Sequence, residues 1–182
     1  VAHYVFRDGA IKRPYFAHAH APGGRQVTRR HPPIDGQDAT DHATMHPGIW
    51  LGFGDINGHD FWRNQAAIRH ERFIDEPAIE EDGRLRFTTV SQLLDATDRP
   101  LGQLISRIVL QARPEAHLLR WEAEVQAGAV DLVFGDQEEM GFGARVATAL
   151  TELNGGVITS STGRQTAALT WGQPAAWCDY TG

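Results

Sequence analysis

Apolar and polar positions alternate along much of the chain with the period of two that marks a strand. Trp121, Ala123 and Val125 alternate with Glu122 and Glu124, giving one apolar face and one wet face. Residues 102–112 form a more continuously apolar strand, with Leu104, Ile105, Ile108, Val109 and Leu110. Residues 112–117 read as a tight connection into the strand that follows. Residues 84–94 are rich in β-branched and aromatic types (Phe87, Thr88, Thr89, Val90) and make another strand. Between such segments fall Asp8-Gly9, Pro22-Gly23-Gly24, Asn57-Gly58, Asp82-Gly83 and Asn154-Gly155-Gly156. These residues tolerate positive φ and suit hairpins. Helical periodicity is weak throughout. Residues 140–150 are the one candidate short helix, and Gly141 and Gly143 count against it. Many short strands at close spacing predict an all-β antiparallel sandwich or barrel in a single domain over residues 1–182.

Residues 13–63 differ in texture. They hold six of the nine histidines and two of the five tryptophans, a mixture that a binding surface uses and a stack of hairpins does not need. His18-Ala19-His20 would place two imidazoles on one face of a strand, a recurring way to hold a metal. A surface or hydrogen-bonded pair is the plainer account of them. Asp41-His42-Ala43-Thr44-Met45-His46-Pro47-Gly48 is the sharpest cluster. Pro47 disfavours helix at His46, so this is a loop entering the strand Ile49-Trp50-Leu51-Gly52-Phe53. Its titratable groups could bind a metal, transfer protons to a ligand, or cap the loop's own backbone. Asp55 to Arg63 follows, with Asn57-Gly58 as the turn. Phe61 and Trp62, flanked by Asp55, Asp60 and Arg63, have the character of a sugar platform or of a hairpin with a buried Trp. Asp136-Gln137-Glu138-Glu139 precedes Arg145, offering a carboxylate base or a salt bridge.

Composition narrows the classes. The net charge is -6 over 182 residues, which argues against binding a phosphate backbone. Lys12 is the only lysine and Cys178 the only cysteine, so no intrachain disulfide and no Cys-based zinc site is available. No apolar run of about 18 residues exists to cross a membrane as a helix. No N-terminal segment reads as a secretory signal, and a reducing cytoplasm is the expected compartment. No Walker A loop, G-x-S-x-G elbow or paired Cys-x-x-Cys is present.

Several segments together resemble one bacterial family. They are Arg13-Pro14-Tyr15-Phe16, Pro22-Gly23-Gly24 with Val27-Thr28-Arg29, Asp41-His42 with His46-Pro47-Gly48, and Trp50 with Gly54-Asp55-Ile56-Asn57-Gly58 and Asp60-Phe61-Trp62. Gly141-Phe142-Gly143-Ala144-Arg145-Val146, Trp171-Gly172 and Ala176-Trp177-Cys178-Asp179-Tyr180 continue the match. The family carries the label "methane oxygenase PmoA". The integral membrane subunit of that name has spanning segments, and this chain has none. The resemblance implies a β-sandwich similar to the galactose-mutarotase-like supersandwich. Such domains bind sugars on the concave face of a large sheet, with a His and a carboxylate as acid and base. Where many relatives carry Asp-His-x-His-His, this chain has the longer spacing Asp41 to His46. The family continues past the position of Gly182.

The resulting expectation is a carbohydrate-active or sugar-binding β-sandwich. His42 or His46 would be the acid and Glu139 the base, with Arg13, Arg29, Asp60 and Trp62 positioning the ligand. These residues are expected to converge. No cofactor is needed on this reading. An alternative is a mononuclear oxygenase or hydrolase holding Fe, Zn or Mn through His18, His20, His42 and His46. A third is a non-catalytic ligand-binding or structural domain. The expected partner is a small-molecule or carbohydrate ligand, with no nucleic acid and no membrane. A second copy could pair through a sheet edge left open.

Overall fold

The computed structural model describes residues 1–137 and 140–182. Strands hold 43% of the chain and helices 6%, so the fold is all-β. Two four-stranded antiparallel sheets carry it. The short sheet has the order β1-β2-β3-β8, from β1 (His3–Val5), β2 (Tyr15–Ala17), β3 (Ile49–Gly52) and β8 (Gly141–Ala144). The long sheet is a meander of β4 (Ala67–Ile79), β5 (Leu85–Leu94), β6 (Pro100–Ala112) and β7 (His117–Ala127). A separate two-stranded sheet pairs β9 (Val157–Ser160) with β10 (Cys178–Thr181), and the one α-helix among the described residues is α1 (Ala167–Thr170).

The period of two decides what each sheet buries. In the short sheet Phe16 pairs with Ile49, and Tyr15 with Trp50. Phe16 and Ile49 face the long sheet and pack with Phe87, Ile108 and Trp121. Leu51, two residues beyond Ile49, joins Phe61, Ile68, Leu93 and Leu104 in the same interlayer core. Tyr15, Ala17 and Trp50 face the opposite way and form a second core with Ile11 and Trp62. Loops cover that outer face, Met45 among them, and those loops carry the histidine-rich segment.

The strands expected at 84–94 and 102–112 are β5 and β6, and the connection at 112–117 closes with Arg113 N–H on Ala116 O. Trp121 and Val125 do pack on the core. Asn57-Gly58 is a hairpin turn with positive φ at both residues, flanked by the bridge Ile56–His59. Residues 140–150 differ from the helix considered for them: they form β8, then a single 3-10 turn over Thr148–Leu150. Gly143 suits the strand: it pairs with Trp50 in the register, and the Trp50 indole fills the space a Cβ at 143 would take.

Candidate functional site

The segment from Arg29 to Gly48 folds over the outer face of the short sheet. Two buried arginines, each 2% exposed, shape it. Arg29 donates from Nη1 to Ala39 O and Asp41 O at 2.7 and 2.8 Å, and from Nη2 to His46 O at 3.1 Å. Arg13 donates from Nη2 to Met45 O at 2.5 Å, and from Nη1 to Trp62 O at 2.7 Å and Asn64 Oδ1 at 3.1 Å. A guanidinium presents five donors in a fixed fork, so one side chain can tie several carbonyls of an irregular loop. Burial holds Arg13 down to about 10, still far above neutrality. Both arginines were expected to position a ligand; their Nη groups tie loop carbonyls and Asn64 Oδ1, while the Nε of each is buried without a partner.

Between these anchors the loop makes one tight turn. Met45 N–H and His46 N–H both reach His42 O, at 3.0 and 2.8 Å. His42 adopts φ +51, an uncommon conformation for a residue with a Cβ. The turn sets three titratable groups side by side. Asp41 Oδ2 lies 3.0 Å from His42 Nδ1. The His42 and His46 rings are 5.0 Å apart. One ligand atom each of Asp41, His42 and His46 lies within 4.8 Å of the others.

Arg145, just after β8, closes the cluster. Its Nη2 donates to Asp41 Oδ1 at 2.8 Å and its Nη1 to Asp41 Oδ2 at 3.1 Å. Nη1 is also 3.3 Å from His46 Nδ1. Since a guanidinium only donates, Nδ1 of His46 is the acceptor and its proton sits on Nε2. Burial, then the charge of Arg145 and the neighbouring His42, push His46 down to about 4. His46 is therefore held in its neutral form at pH 7. Burial opposes ionisation of Asp41, and hydrogen bonds from Arg145 and His42 overcome it, leaving the carboxyl below its ordinary range. His42 has a side chain 48% exposed and a carboxylate on Nδ1.

The aromatic residues behave differently from the platform expected. His46 stacks on Trp50 at 4.8 Å with 13° between planes, and Trp62 lies 5.5 Å from His46. Trp62 is only 4% exposed, Phe61 is fully buried, and the Arg63 guanidinium covers the Trp62 ring at 4.6 Å. A sugar cannot stack on a ring the protein already covers, so Trp62 supports the site from beneath. Asp60 accepts from Arg63 N and Nη1, both at 2.8 Å. The structure thus brings His42, His46, Trp62, Arg13 and Arg29 together, with Asp60 at the margin. His18 and His20 lie apart from the cluster. His18 takes φ +51 directly after β2, which ends the strand and with it the shared face predicted for the pair. Its ring packs against His3 at 5.4 Å. Glu139 lies outside the described residues.

Arg145 and Trp50 join this site through tertiary contacts. Arg145 sits 104 residues from Asp41, and no local pattern announces such a pair.

No curated protein and no solved structure matches the chain. The sequence model of a family of unknown function, DUF6807, matches residues 1–182, and the chain belongs to that family.

Proposed function

We propose that this protein binds a sugar or a related polyol at the Asp41–His46 loop and moves a proton on it, with His42 as the acid–base group. The observation that carries the reading is the Asp41–His42 pair. A half-exposed imidazole has its Nδ1 held by a carboxylate that is itself gripped by Arg145. Such a carboxylate orients the ring and fixes its tautomer. The resemblance to galactose-mutarotase-like sandwiches supports a sugar as the ligand class. The simplest reaction is anomer exchange. His42 takes the proton of the anomeric hydroxyl, the freed O–H electron pair forms the C1=O carbonyl, and the bond from C1 to the ring oxygen breaks with its electron pair on that oxygen. His42 then gives the same proton to the ring oxygen, and reclosure on the other face of C1 reverses the steps. Nothing is oxidised or reduced. The Arg145 charge favours the negative oxygen that forms in passing.

The grouping of Asp41, His42 and His46 also fits a metal reading, since imidazoles and a carboxylate suit Zn, Fe or Mn. Arg145 weighs against it. Its Nη1 stands against both Asp41 Oδ2 and His46 Nδ1, the place a cation would take.

Exchange NMR on equilibrated glucose, galactose and xylose tests the proposal. Anomer exchange faster than in buffer, falling roughly 10²–10⁴-fold in His42→Asn, supports it. Ligand saturation transfer without faster exchange would reduce the protein to a binding module. Stoichiometric metal in the purified protein, lost in His42→Asn and His46→Asn alike, would favour the metal reading.

A further inference from the structure

The long sheet ends at β4 on one side and at β7 on the other, and the two edges are built differently. A strand edge presents a row of N–H and C=O groups that can pair with another chain, and proteins blunt long edges with bulges, proline or cover. β4 has all three. Its register with β5 shifts at three places, it contains Pro77, and Lys12 O accepts the N–H of Ile68. β7 has none of them. It pairs with β6 in unbroken register from His117–Ala112 to Ala127–Gly102. Among the described residues β6 is its only neighbour, and no other backbone hydrogen bond reaches it. The edge strands of the other two sheets, β1, β8, β9 and β10, are three or four residues long. β7, with 11 residues, is the long edge left regular.

Charges also guard an edge, but those of β7 are self-complementary. Leu119, Trp121 and Val125 face the short sheet. By the period of two, Leu118, Arg120, Glu122 and Glu124 face the other way. The Arg120 and Glu122 side chains are 61% and 51% exposed. Two antiparallel copies of β7 related by a two-fold axis at Trp121 place Arg120 of each copy opposite Glu122 of the other, and Leu119 opposite Ala123. Moving the axis by one residue sets Arg120 or Glu122 against itself. Moving it two residues onward sets Glu122 against Glu124, and two residues back loses both pairs. One register alone joins opposite charges and opposes no like ones. Apolar surface lies beside the same edge. Phe142 of β8 stands edge-on to Trp121 at 5.4 Å and is 55% exposed.

We propose that β7 is a self-association edge, through which two copies of this chain join antiparallel about Trp121 into one continuous eight-stranded sheet. The exposed side of Phe142 then lies next to the junction. The proposal does not depend on the sugar reading.

Sedimentation velocity between about 1 and 100 µM protein, at low salt because charge pairing is screened by it, reads the association. Wild type is expected to pass from monomer to dimer. Arg120→Glu and Glu122→Arg each set like charges opposite one another twice per dimer, and each should weaken association about tenfold or more. Mixed in equal amounts, the two variants carry opposite charges at both contacts and should form a heterodimer. Arg72→Glu, on β4, and His42→Asn should associate like wild type, so failure of the sugar reading and failure of this one are distinguishable. Hydrogen exchange of wild type needs no substitution: β7 amides should be better protected at the higher concentration. A wild type that stays monomeric overturns the proposal. So does a dimer that both single variants leave intact, that Arg72→Glu weakens equally, or whose variants stay apart on mixing. Protection of β7 independent of concentration also overturns it, because a segment of the same chain would then cover the edge.

Discussion

Arg145 grips both oxygens of Asp41, at 2.8 and 3.1 Å, across 104 residues of chain. The pair is partly solvated, with side chains 26% and 47% exposed. An ion pair of this kind contributes about 1 kcal/mol or less to stability. Arg145→Met is therefore expected to shift the urea midpoint little. It should instead raise the titration midpoint of His46, because a positive charge beside the ring is removed. Ring signals of His46 followed by NMR across pH check this. An unmoved midpoint would mean that burial alone sets it.

His46 also predicts a slope of stability against pH. Burial and its cationic neighbours hold it at about 4, whereas an unfolded histidine ionises near 6.5. Between those values the unfolded chain binds a proton that the folded chain excludes. The contribution is complete above about pH 6.5 and is lost as pH falls toward 4. Asp41, also lowered, adds loss at the acid end. The urea midpoint between pH 7 and 4 should fall more steeply for wild type than for His46→Gln. Parallel curves would contradict the placement of this ring.

Arg13→Met tests the anchoring of the loop. The substitution removes three donated hydrogen bonds from a buried guanidinium. Hydrogen bonds to charged groups are worth about 1.5–3 kcal/mol each, and carbonyls left unpaired add to the loss. A loss of about 3 kcal/mol or more in urea unfolding is expected. A loss below about 1 kcal/mol would show that water replaces the guanidinium freely.

Gly143→Ala tests the seat of Trp50. A Cβ at residue 143 would meet Trp50 Cε2 at 2.6 Å, and that indole is held between its sheet and His46. Overpacking of this kind costs about 1–3 kcal/mol. Gly9→Ala, with nothing within 4 Å, should stay within about 0.5 kcal/mol of wild type. Equal effects at the two positions would refute the close packing.

Much of the long sheet is legible in the sequence because its strands are long and each pairs with the next. Trp121 and Val125 announce a buried face, and Asn57-Gly58 announces its turn, through rules that operate within a few residues. The Asp41–His46 loop is legible as a cluster for the same reason. Its internal logic is not. Arg63 lies over Trp62, and His46 is held neutral first by its burial and then by the charge of Arg145. Arg13 and Arg29 read as ligand contacts because the sequence does not reveal which carbonyls an irregular loop leaves exposed. His18 looked like a strand residue until its φ of +51 placed it outside β2.

The two sheets differ in how far apart in the chain their partners lie, and this has a consequence in time. The long sheet closes by short hairpins, with β5 joined to β6 and β6 to β7 by brief turns. The short sheet must bring Ile49 to Ala144 before β3 and β8 can pair. Closing a long loop costs entropy that local pairing avoids, and contacts of wide separation form slowly. The meander is thus expected to form early, and the short sheet to close over it afterwards. Arg145 reaches Asp41 only once β8 has docked. The histidine cluster is then the last part of the molecule to take shape and, on local opening, the first to dissolve.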